Sequence, residues 1–133
     1  MKTLCAALLG MSLFTTSVLA KPPLRDVPAI DDAIFEIGVA HLIRENCASI
    51  EARQLKGVAM LLRLRREARD MGYSDAEIEA YTDSDADKAR LRAKAATYFA
   101  ARGVDPTQPE HYCQIGREEI AKASRIGSLL KAK

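Results

Sequence analysis

Gly72-Tyr73-Ser74-Asp75-Ala76-Glu77-Ile78 decides the fold class of this 133-residue chain. Gly72 is a helix stop, because glycine enters the left-handed region at little cost. Ser74 and Glu77 have the spacing of a capping box, with Tyr73 and Ile78 placed as its hydrophobic staple. One helix ends here and another begins, and the pattern holds in both directions. Upstream, the spacing predicts a helix over Ile50 to Met71 with Ser49 as N-cap, and its first half, Leu55 to Leu62, is apolar nearly all round. The turn Cys47-Ala48-Ser49 separates it from a first helix running from about Ile30 to Asn46. There Ile30, Ala33, Ile34, Ile37 and His41 form one stripe and Phe35, Val39 and Leu42 the opposite one, which describes a sandwiched helix. Two-sided helices of this kind either fill one core or feed a dimer interface.

Downstream, a short third helix should reach Thr82, and Ser84 caps a fourth over Asp85 to Arg102. Ala86, Ala89, Ala93, Ala96 and Ala100 recur along it at helical spacing, a small-residue stripe suited to close helix approach. Gly103 and Asp105-Pro106 end it. Thr107 with Glu110 reads as a second capping box, and Pro109 suits the first turn of a last helix to about Leu130. On that helix Tyr112, Cys113, Gly116, Ile120, Ala123, Gly127 and Leu130 share a face. Each glycine costs about 1 kcal/mol in a helix interior, so a tight contact is expected at both. No segment alternates like a strand. The expected architecture is all-α: a single bundle of about five helices over residues 30–133, preceded by an extended Pro-rich leader, residues 21–29, and tied by one disulfide.

Residues 1–20 read as a secretory signal peptide. Lys2 gives a positive start, Leu4 to Phe14 is uncharged and rich in Leu and Ala, and Val18-Leu19-Ala20 is a small-residue cleavage site before Lys21. Gly10, Ser12, Thr15, Thr16 and Ser17 dilute the apolar run too much for a membrane anchor. With no twin-arginine pair and no cysteine after the cleavage point, export runs through the general secretion pathway to a periplasm, with no stable membrane anchor after cleavage. In that oxidising compartment Cys47 and Cys113 can pair, and without a CxxC motif the bond is structural.

The chain carries 20 Lys and Arg against 18 Asp and Glu, a net charge of +2, so no strong field draws nucleic acid. Its two histidines, His41 and His111, stand in no HExxH or CxxCH setting, and neither metal nor other cofactor is expected. His41, on the apolar stripe of the first helix, is a candidate pH-sensitive buried group. His111, beside Tyr112 and Cys113, is read as a surface residue. Asp31, Asp32, Asp83, Asp85 and Asp87 cluster at helix starts, where they complement the helix dipole. Arg65, Arg66 and Arg69 share one sector of the second helix and form the candidate binding surface, extended by Arg90, Arg92 and Lys94 if the fourth helix packs alongside. Glu67 and Asp70 interleave with them, as on an ordinary solvated face.

Pro23-Leu24-Arg25-Asp26-Val27-Pro28 with Ile30-Asp31-Asp32, Arg44-Glu45-Asn46-Cys47-Ala48-Ser49-Ile50, Gly72 to Ile78, Ala101-Arg102-Gly103-Val104-Asp105-Pro106 and Tyr112-Cys113 together resemble a bacterial family of small exported proteins catalogued only as a domain of unknown function. The resemblance implies an all-helical exported domain with Cys47 and Cys113 paired, and it brings no activity, cofactor or substrate. No nucleophile, base and orienting group assemble from the sequence, so an enzyme is not expected. The expectation is a non-enzymatic protein-binding or structural module whose partner is another exported or envelope protein. An acid-stress chaperone and an immunity-type inhibitor of a cell-wall-degrading enzyme are the alternatives.

Overall fold

A single helix, α1 (Pro28–Asn46), runs through the centre and is contacted by nearly every other element. The computed structural model describes residues 20–133, so the signal-peptide reading lies, but for Ala20, outside the described residues. Pro28 opens α1 at its first position, where the missing N–H is no loss. The extended leader is therefore shorter than expected. Leu24–Asp26 form one 3-10 turn, and Leu24 is buried. The sandwiched reading of α1 is borne out: Ile30 and Ala33 face one apolar cluster while Val39, Ala40 and Ile43 face another, and Ile37 touches both. His41 is not buried. The apolar side chains of Val39, Ala40 and Ile43, which need no hydrogen-bond partner, take the inner positions and leave the imidazole exposed.

After α1 the chain departs from expectation. Ile50–Ala52 is a strand, β1, and only then does α2 (Gln54–Asp70) begin, with no side-chain cap from Ser49. At the other end of the chain the predicted last helix is cut short. α5 spans Pro109–Ala121, Ala123 takes a left-handed φ of 50°, and α6 (Arg125–Ser128) doubles back into a second strand, β2 (Leu130–Ala132). β1 and β2 pair antiparallel, Ile50 opposite Ala132 and Ala52 opposite Leu130, and Lys131 meets Glu51 at 2.8 Å. Three-residue strands are too short to show a period of two, which hides them from sequence reading.

The elements between follow their signals closely. Gly72 adopts φ 90°, and the Tyr73 N–H donates to the Ala68 carbonyl while the Gly72 N–H donates to that of Arg69, closing α2 in a Schellman turn. The capping box opens α3 (Asp75–Asp83) with both of its bonds formed, and the staple residues Tyr73 and Ile78 are buried. Ser84 caps α4 (Asp85–Ala100) by accepting from the Asp87 N–H. The alanine stripe of α4, however, faces solvent. Asp87, Ala95 and Phe99 occupy the inner face, where aromatic bulk and a buried charge outcompete methyl groups. Thr107 does not cap α5. It donates instead to the Asp105 carboxylate, and Glu110 pairs with Arg117.

Cys47 and Cys113 are bonded, joining the end of α1 to the first turns of α5 across 66 positions. Beside the bond, Gly116 lets α5 press on Ile43 and Ile50: a Cβ there would lie 2.7 and 2.4 Å from their side-chain ends. Gly127 is tighter still, since a Cβ would sit 1.9 Å from the Glu119 carbonyl oxygen. Both expected close contacts are present. Loop closure of this length stabilises by about 4 kcal/mol in the chain-entropy model, so Cys47→Ser should lower unfolding free energy by that order in urea titration. Gly127→Ala, which meets rigid backbone, should cost about 3 kcal/mol, and Gly116→Ala, which meets the buried Ile43 and Ile50 side chains, about 2 kcal/mol.

Candidate functional site

The apolar first half of α2 is not enclosed. Leu55 is 88% exposed, Val58 56%, Leu62 53% and Leu61 45%, whereas the face of α2 toward the core is held by Leu64 and Ala68. Helical geometry separates these sets: Leu55 and Leu62 project on the side of α2 opposite Leu64, with Val58 and Leu61 between. Beneath this ridge a groove of about 370 Å³ opens between α1, α2 and α3, floored by Leu24, Ile30, Ile34, Ile78 and Ala68. Isolated exposed apolar side chains are ordinary. A contiguous row beside an apolar groove is a candidate interaction surface.

The polar groups at the groove are already spoken for. Arg65 reaches Asp75 at 3.2 Å and Glu79 at 3.3 Å, and Arg69 reaches Asp75 at 2.7 Å. Arg69, assisted by Arg65, holds the Asp75 carboxyl below its usual range. Of the predicted basic surface, Arg65 and Arg69 are thus neutralised by α3, and Arg66 is exposed with no ion-pair partner among the described residues. Arg90 and Lys94 do not extend that surface. Their helix turns them toward the start of α1 instead.

There they build a cluster that sequence reasoning attributed to helix-dipole complementation alone. Asp31, 5% exposed, accepts from the Tyr81 hydroxyl at 2.7 Å and from both Nη atoms of Arg90, and Arg90 Nε also contacts Asp87 at 3.3 Å. Arg25 of the leader reaches Asp87 at 3.3 Å, and Lys94 binds Asp32 at 2.8 Å while lying over the Phe35 ring. Burial by itself raises the Asp31 pKa, but Arg90, Tyr81 and Lys94 outweigh it and hold the carboxyl below its usual range. The same burial and the Asp31 charge push the Tyr81 hydroxyl far up, and Asp31 raises Arg90 further. Tyr81 thereby shows one face to the groove while its hydroxyl locks the groove wall to α1 and α4. The signal for this cluster lay in Asp31 and Asp87 falling on the inward sides of their helices, which capping did not require.

A third buried carboxylate, Glu119, takes hydrogen bonds from Tyr98 at 3.2 Å and from Ser124, pinning the α5–α6 corner, and burial beside it pushes Tyr98 up to about 12. His111 accepts the Asp105 N–H at its Nδ1 and is half-buried. His41 stands exposed on α1 and joins no cluster described above. Among the described residues no three His, Cys, Asp or Glu side chains gather as metal ligands, and no helix is long and apolar enough to cross a membrane.

Fold and site together define a small disulfide-tied helical domain that presents one apolar helix face beside a groove. The chain belongs to a family of unknown function, DUF5333, whose model matches residues 22–131. Neither the curated proteins nor the solved structures provide a match.

Asp31 contributes stability at and above its ordinary pKa, and that contribution is lost as pH falls through the lowered folded value. Unfolding free energy should therefore decline below about pH 4. In Asp31→Asn this part of the decline should be missing, at a cost of about 2 kcal/mol at neutral pH, since Arg90 keeps partial solvation. Denaturant titrations from pH 3 to 7 read both effects.

Proposed function

We propose that this protein is an exported, periplasmic, non-enzymatic protein-binding module, delivered through the general secretion pathway, whose working surface is the α2 ridge and groove. The observation that carries the reading is the exposure of Leu55, Val58, Leu61 and Leu62 over an apolar groove in an otherwise well-packed fold. Leaving such a row in water costs about 25 cal/mol for each Å² that a partner could cover. The partner is a protein of the same compartment, as the leader pattern at residues 1–20 and the disulfide support. Since the arginines near the groove are bound to α3 acids, apolar burial drives binding and charge orients it. The apolar face is already open while the Asp31–Arg90 pair is formed, so this reading needs no acid trigger of the kind a low-pH chaperone uses.

A photo-reactive amino acid placed at Leu62 in intact cells tests this, with Ala93 on the exposed face of α4 as the comparison site. A discrete protein adduct at neutral pH from Leu62 and not from Ala93 is the expected result. Equal labelling from both sites, or none from Leu62, would refute the reading.

A further inference from the structure

We infer that the chain docking on the α2 surface is a second copy of this protein, related by a two-fold axis; this rests on the docking reading above. A two-fold contact uses the same patch on both partners, so the patch must be complementary to itself. This one is. Leu55, Val58 and Leu62 form a convex ridge, and the concave groove lined by Ile30, Ile34 and Ile78 lies directly alongside it, so each copy offers what the other receives.

The charges have the same property. α2 carries Lys56, Arg63, Arg65, Arg66 and Arg69 against Glu67 and Asp70, while α3 carries Asp75, Glu77, Glu79 and Asp83 and no base. Within one copy these charges are only partly matched: Lys56 and Arg66 on α2 and Asp83 on α3 have no ion-pair partner among the described residues. The groove is walled by α2 on one side and α3 on the other, so laying the ridge of one α2 into the groove of the other copy brings the basic helix against the acidic one along the α3 wall, twice over, by symmetry. A net charge of only +2 sets up little repulsion between copies. A small apolar ligand fits the observations less well. It would fill the groove and leave Leu55, the most exposed of the row, still in water.

Sedimentation velocity of the purified disulfide-bonded protein over a range of concentrations tests the inference. The expected result is a reversible dimer. Leu55→Asp and Leu62→Asp, at positions too exposed to disturb the fold, should each weaken it at least about tenfold with unchanged circular dichroism. Arg66→Glu should weaken it by a smaller factor, and added salt should do the same. A monomer at every concentration, or a dimer that both aspartate variants leave intact, overturns the inference. If the protein is monomeric while Leu62 still gives a discrete adduct with a different protein in cells, the docking reading stands and the second-copy assignment falls. If it is monomeric and Leu62 gives no adduct, both fall.

Discussion

The Cys47–Cys113 bond fixes the distance between the end of α1 and the start of α5, and the rest of the packing is built out from that fixed point. Just past Cys47 the chain cannot continue as helix, because Ile50 has to lie under Gly116 to fill the space beside the bond. That requirement turns residues 50–52 into a strand, and the C-terminal residues close over it as its partner. The turn through Ala123 and the seating of Gly127 on the Glu119 carbonyl follow from the same need to bring the chain end back. A left-handed alanine costs about 1 kcal/mol, a small sum beside the burial of Ile126, Leu129 and Leu130 that it permits.

The other half of the molecule is organised by charge. Arg90 between Asp31 and Asp87 ties α4 to α1, Arg25 draws the leader in, and Tyr81 carries the connection to α3. Partly buried ion clusters of this kind add little net stability but exclude arrangements that would leave one member unpaired. Their effect here is to fix Tyr81, which forms part of the groove wall, against α1, while the Arg65 and Arg69 pairs tie α3 to α2. Among the described residues the two apolar clusters share Ile37 and Met60; one closes the fold around the disulfide and the other lines the groove.

Much of this was legible in the sequence because local signals and tertiary demands agreed. The Gly72 stop, the Ser74–Glu77 box, the Ser84 cap and the close contacts at Gly116 and Gly127 are all where their residue types place them. The misses share a cause. The alanine stripe of α4, His41 and the Thr107 cap were assigned from periodicity or pairwise spacing, and each lost its position to a neighbour with more to bury or a stronger hydrogen bond to make. The β1–β2 pair depends on residues at opposite ends of the chain, which no local window contains. For the site, the decisive fact was that Leu55 to Leu62 is apolar all round; the sequence left two destinations for the second face, and the packing around α1 leaves that face uncovered.

On the docking proposal, the α2 face is covered when the protein is at work. Radical footprinting of Leu55, Val58, Leu61 and Leu62, in intact cells and again in dilute purified protein, measures this coverage residue by residue. Strong labelling in dilution with protection in the cell, while Ala93 on α4 labels alike in both, is the predicted result. Equal labelling of the α2 row in the two settings would mean that nothing docks there.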